Sequence, residues 1–162
     1  MDRKGVTLVE FIVVVVISGF IVVAIACQFV AELTFRQLIS DQVFVTSESA
    51  IAMRHMVRVL RYADPSKTVT TGANKVEVTI DHKAAGDNLP EITANTAVAY
   101  RLNGALLEYR CGSGGSYRKI ADNISAFSSS WDSDSILTLA LTAKKKTRSC
   151  PLETKVRFLG GA

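Results

Sequence analysis

An apolar run from Val6 to about Ala31, broken by a single charge at Glu10, constrains this chain more than any other feature. About 26 residues rising 1.5 Å each give roughly 39 Å, enough to cross a hydrocarbon core of about 30 Å. The run is too long for a secretory signal peptide, and no small-x-small cleavage site closes it. Arg3 and Lys4 precede it and place the N-terminus in the cytoplasm by the positive-inside rule. Whatever follows the run is therefore expected to face outward. A lone carboxylate near one end of a membrane-length helix is costly and is by default a functional signal.

The residues around that carboxylate read Lys4-Gly5-Val6-Thr7-Leu8-Val9-Glu10. This stretch resembles the class III signal of type IV prepilins and of the pseudopilins of type II secretion. The resemblance implies cutting by a prepilin peptidase between Gly5 and Val6, followed by N-methylation of Val6. Glu10 then becomes the fifth residue of the mature chain, where the family keeps a glutamate for filament assembly. Thr7 and Leu8 match the family pattern, whereas Val6 stands where phenylalanine is usual. The implied fold is α+β, with a long N-terminal helix packed on an antiparallel β-sheet. The expected divisions are a leader over 1–5, an apolar membrane and assembly half-helix over 6–31, an amphipathic half-helix over 32–64, and an outward β-domain over 65–162.

The chain's own patterning agrees with that plan. From Gln28 to Tyr62 there is neither proline nor glycine, and Ala50, Met53, Val57 and Leu60 recur at helical spacing as an apolar stripe. Arg54, Arg58 and Arg61 form a second stripe beside it. Asp64-Pro65 ends the helix, because proline cannot continue one and disfavours helix in the residue before it. A helix from about Val6 to Ala63 spans roughly 85 Å. Gly19 permits close helix packing; Cys27 stands where related filament subunits carry a proline.

Beyond Pro65 the period changes to two. Val76, Val78 and Ile80 alternate with Glu77, Thr79 and Asp81, which predicts a half-buried strand. The turn Gly72-Ala73-Asn74 joins it to a strand around Thr68–Thr71, and His82–Pro90 reads as a polar loop. Ala97–Leu102 and Ala105–Arg110 flank Asn103-Gly104, a two-residue hairpin signal that pairs Leu102 with Ala105 and Tyr100 with Leu107. Cys111–Ser116 reads as a flexible connection. Ile120, Ile124 and Phe127 suggest a short segment over the sheet, and Ser128–Ser135 a polar loop containing Trp131. Ser135–Thr142 and Leu152–Phe158 read as closing strands, joined through a solvated turn at Lys144–Lys146.

The 162 residues suffice for one domain and an anchor, and a net charge of +4 is too mild to imply nucleic acid. Lys144–Lys146 with Arg148 lack interleaved aromatics, so nucleic-acid binding is not expected. Cys27 falls in the anchor. Cys111 and Cys150 fall in the outward domain, where disulfides persist, and a Cys111–Cys150 bridge is expected, with two free thiols as the alternative. His55 and His82 have no serine or cysteine at a catalytic spacing. Asp122, Asp132 and Asp134 lack a calcium-loop pattern. No enzyme activity, metal or cofactor is expected.

Past the leader, three segments carry a closer resemblance: Ala52–Ala63, Tyr100–Leu107 and Ile120–Phe127. They look like those of W-type minor pilins and of J-type minor pseudopilins. The resemblance implies a low-copy subunit that helps to initiate or cap a filament. Its partners are other pilin or pseudopilin subunits through the N-terminal helix, the prepilin peptidase, the inner-membrane assembly platform and the membrane itself. Its place is the inner membrane, single-pass with the N-terminus inside, and then an extracytoplasmic filament. A competence pilus subunit contacting DNA and a membrane-tethered binding domain are the other classes compatible with the sequence.

Overall fold

The computed structural model describes residues 7–67, 69–81, 92, 95–132 and 136–159. The chain divides into two compact units, Met1–Ser40 and Asp41–Ala162, and one helix, α1 (Leu8–Leu60), contributes to both.

In the first unit every described residue is exposed, including Phe11, Ile17, Phe20, Ile25, Phe29 and Leu33. A helix that is apolar on all sides does not suit water, and this one is long and apolar enough to cross a membrane. After Glu10, its next charged residues are Glu32 and Arg36, an i,i+4 ion pair on the helix surface.

In the second unit α1 becomes one-sided. Val45, Ser49, Ala52, Met53, Met56, Val59 and Leu60 are buried. Apart from the adjacent pairs Ala52-Met53 and Val59-Leu60, they step by three and four residues, which keeps them on one face of the helix. The stripe expected from the sequence is thus rotated: Met53 and Leu60 belong to the core, but Ala50 and Val57 lie only half-buried on its flank. Ser49 escapes the cost of a buried hydroxyl by donating to the Val45 carbonyl at 2.9 Å. The helix ends close to the expected place. Asp64 accepts from the Ser66 amide at 2.9 Å, and the Asp64 amide donates to the Thr79 carbonyl at 2.8 Å, so the chain passes directly from helix to sheet.

Eight strands follow: β1 (Thr70–Gly72), β2 (Lys75–Ile80), β3 (Thr96–Asn103), β4 (Leu106–Cys111), β5 (Arg118–Ala121), β6 (Ile124–Trp131), β7 (Ile136–Lys145) and β8 (Arg148–Arg157). They form two antiparallel sheets rather than one, a five-stranded meander β1-β2-β3-β4-β5 and a three-stranded meander β6-β7-β8. The sheets meet at the β1–β2 turn. There the Asn74 amide donates to the Phe127 carbonyl at 2.8 Å, and the Ser129 hydroxyl donates to the Lys75 carbonyl at 3.0 Å. The shared core combines Met56 and Leu60 of α1, Ile80 and Tyr100 of the first sheet, and Phe127 and Leu139 of the second, each at most 2% exposed.

Three local expectations are corrected. The β3–β4 hairpin pairs Asn103 with Leu106, Leu102 with Leu107 and Tyr100 with Tyr109, so the two loop residues are Gly104-Ala105. Gly104 has φ +61° and Asn103 does not have positive φ, the pattern of a turn with glycine first rather than of an Asn-Gly turn with both positive. Each partner moves by two positions, so Val98, Tyr100, Leu102, Leu107 and Tyr109 still share a face. The stretch from Ile124 to Trp131 is a strand, not a covering segment and a polar loop: exposed Ser128 and Ser130 alternate with buried Phe127 and Ser129, and the strand pairs along β7 in the second sheet. The run Cys111–Ser116 is a built turn, with Gly112 at φ +85° and Gly115 so close to the Cys111 carbonyl that a Cβ would collide with it. The expected loop His82–Pro90 lies outside the described residues.

Candidate functional site: the helix N-terminus and the hairpin clasp

The expected cleavage residues Gly5 and Val6, with the basic pair Arg3 and Lys4, lie outside the described residues. Thr7, Leu8 and Glu10 lie within them and open α1. Glu10 Oε2 accepts from the Thr7 amide at 2.8 Å and from the Thr7 hydroxyl at 3.1 Å, and Thr7 Oγ1 accepts from the Glu10 amide at 3.3 Å. This is a reciprocal capping box, with Thr7 outside the first turn and Glu10 at its third position. It satisfies helix amides that a lipid phase cannot solvate, and it places the carboxylate at the positive end of the helix dipole. The spacing Thr-x-x-Glu before an apolar run is a sequence signature of this cap. Leu8 is exposed beside it.

At the start of the second unit, Asp41 projects from α1 toward the β7–β8 hairpin. Its two carboxylate oxygens lie 3.0 Å from Lys145 Nζ and 2.9 Å from Lys146 Nζ. Lys146 and then Lys145, hydrogen-bonded to Asp41, hold its carboxyl below the usual aspartate range. Lys145 also lies 4.2 Å over the Phe44 ring. One heptad further, Glu48 accepts the Asp122 amide at 3.1 Å. Lys144–Lys146 is therefore not simply a solvated turn: two of its three lysines fasten the hairpin tip to the helix. Asp41 and Glu48 were missed because their partners lie far away in sequence. Their one trace is the spacing of seven beside Val45 and Ser49, which puts all four near one helix face.

The remaining candidates separate. Cys111 sits in β4 and Cys150 in β8, in different sheets, and both thiols are free. The expected bridge rested on the two strands neighbouring each other in one sheet, and they lie in different sheets. Cys27 is exposed in the first unit. His55 Nδ1 lies 3.1 Å from the Tyr100 hydroxyl, and its ring meets Tyr109 edge-on at 5.0 Å, so it belongs to an aromatic cluster. Trp131 packs on Phe158 at 4.5 Å. Asp122 pairs with Lys119 at 2.9 Å. Asp134 and His82 lie outside the described residues. Among the described residues no three of His, Cys, Asp and Glu converge as metal ligands.

Compared with known proteins, the chain matches no family model, no curated protein and no solved structure.

Proposed function

We propose that this chain is a minor pilin-like structural subunit of a type IV filament system, inserted in the membrane and assembled through the first part of α1. One observation carries the proposal: α1 is uncovered over residues 8–40 and predominantly apolar as far as Ala31, then continues with one face buried under an antiparallel β-domain. A helix built that way requires lipid or other helices along its first part and its own domain along its second. Glu10 is the only acidic residue in the described apolar stretch before Glu32, as expected for a group that selects a partner rather than one that fills space.

The experiment is an intact-mass measurement of the chain extracted from membranes of cells with an active prepilin peptidase. A chain beginning at Val6 and carrying one added methyl group supports the proposal. Recovery of only the uncut chain contradicts it.

The capping box favours a second reading, a membrane-tethered binding domain. A carboxylate already satisfied by its own Thr7 has less need of a neighbouring subunit's amine. Under that reading the chain stays uncut and uncounted among filament subunits.

A further inference from the structure

A groove of about 750 Å³ lies between the second half of α1 and β8. Met53, Val57, Tyr62 and Leu152 line it with apolar surface, and Arg54, Arg58 and Arg61 stand along the helix side. The arginines follow one another at four and three residues, so they form a row one over the next. All three are exposed, and no acidic residue occurs in α1 between Ala50 and Leu60. Arg54 and Arg61 make no ion pair among the described residues. From β8 only Leu152 lines the groove; elsewhere on its surface β8 exposes Arg148, Lys155 and Arg157 against the single acid Glu153.

The β8 wall has a second property. In the order β6-β7-β8 it pairs only with β7, so its outer edge carries no strand among the described residues. Such an edge presents unpaired N–H and C=O groups. Pro151 and the cations along β8 discourage pairing with another copy of itself, because proline lacks a donor and like charges repel. The same cations favour a strand of opposite charge.

We propose that this groove docks an acidic, extended segment of a partner protein, which adds to the edge of β8 along Leu152–Arg157. Its apolar side chains cover Met53, Val57 and Leu152, and its carboxylates meet Arg54 and Arg61. Backbone pairing supplies affinity, and the alternate side chains supply selection. An anionic lipid headgroup answers the arginines but leaves the apolar floor and the strand edge unfilled, which is why a peptide is the better occupant. The proposal is independent of what Glu10 does.

The test uses the full chain in neutral detergent and a fluorescein-labelled decapeptide of alternating leucine and glutamate, followed by anisotropy. Expected is saturable binding that weakens as salt screens the charges. The double variant Arg54→Glu with Arg61→Glu should bind at least about tenfold more weakly, since reversal places like charges together. Arg118→Glu, on β5, should bind as the parent does. A decapeptide N-methylated at every residue has no backbone N–H to donate from either edge and should fail to compete. Equal binding by the double variant, or by the N-methylated peptide, overturns the proposal. So does a result in which phosphatidylglycerol vesicles bind the parent but not the double variant while the peptide binds neither; that result assigns the arginines to a membrane surface.

Discussion

Lys146 Nζ lies 2.9 Å from one carboxylate oxygen of Asp41, and Lys145 Nζ lies 3.0 Å from the other, so the tip of the β7–β8 hairpin is tied to α1 where the second unit begins. The Asp41 side chain is 13% exposed. It is shielded enough for the pair to hold one geometry.

Because the folded carboxyl titrates below its ordinary value of 3.8, the clasp stabilises the fold fully above that value and loses its effect as the pH falls through the lower folded value. Asp41→Asn should therefore lower the melting temperature at neutral pH. The gap between variant and parent should close as the pH drops below about 4. A gap that persists unchanged into acid contradicts the charged clasp. Hydrogen exchange should rise around residues 41–48 in the variant.

Met56 is fully buried where α1 meets the core. Met56→Ala should cost about 2–5 kcal/mol by lost burial and the cavity left behind. Ile51→Ala, at an exposed position on the same helix, should change stability by less than about 0.5 kcal/mol. Denaturant unfolding of the two variants measures the contrast, and equal losses would mean that the helix packs on a different face.

Cys111 and Cys150 are half-buried free thiols in separate sheets. Mass mapping after alkylation without reductant should find both modified. Removing either by alanine should leave the melting temperature insensitive to added dithiothreitol. A fragment linking the two cysteines in unreduced protein contradicts the free thiols.

Much of this architecture was legible because it follows local rules. The absence of glycine and proline from Gln28 to Tyr62 specified a helix, and Asp64-Pro65 ended it. Val76, Val78 and Ile80 alternate as a half-buried strand must. What was not legible depends on distance or on competing local options. The core stripe runs through Val45, Ser49, Ala52 and Met56, but alanines and valines on both flanks made a rotated stripe equally plausible. Gly104 can begin or finish a two-residue turn, and only the finished pairing decides which. The split into two sheets hangs on the β1–β2 turn meeting Phe127 and Ser129, a contact with no sequence signal. The serines of β6 have the composition of a loop, and the alternation of Ser128 and Ser130 with Phe127 and Ser129 is masked because Ser129 is itself polar. At the N-terminus the resemblance to prepilin signals gives Glu10 a partner-seeking role, whereas the Thr-x-x-Glu spacing gives it a bond to Thr7 three residues away.

That bond yields a discriminating pair of variants. Thr7→Val keeps the shape but removes the cap, at a cost of about 1 kcal/mol to the first helical turn. If capping is all that Glu10 does, Thr7→Val and Glu10→Val should impair membrane levels and assembly alike. If Glu10 selects a partner, Thr7→Val should be the milder of the two.

The filament reading stands or falls most directly with Glu10→Val. The measurement is the amount of tagged chain that co-purifies with sheared filaments, compared between parent and variant at matched membrane levels. A charge buried among helices is costly to leave unpaired, so the amine of a neighbouring subunit is the expected partner. The account predicts that Glu10→Val inserts in the membrane and folds its β-domain but is largely lost from the filament fraction, with Glu10→Asp intermediate. Recovery of Glu10→Val in filaments at the parent's level would contradict it.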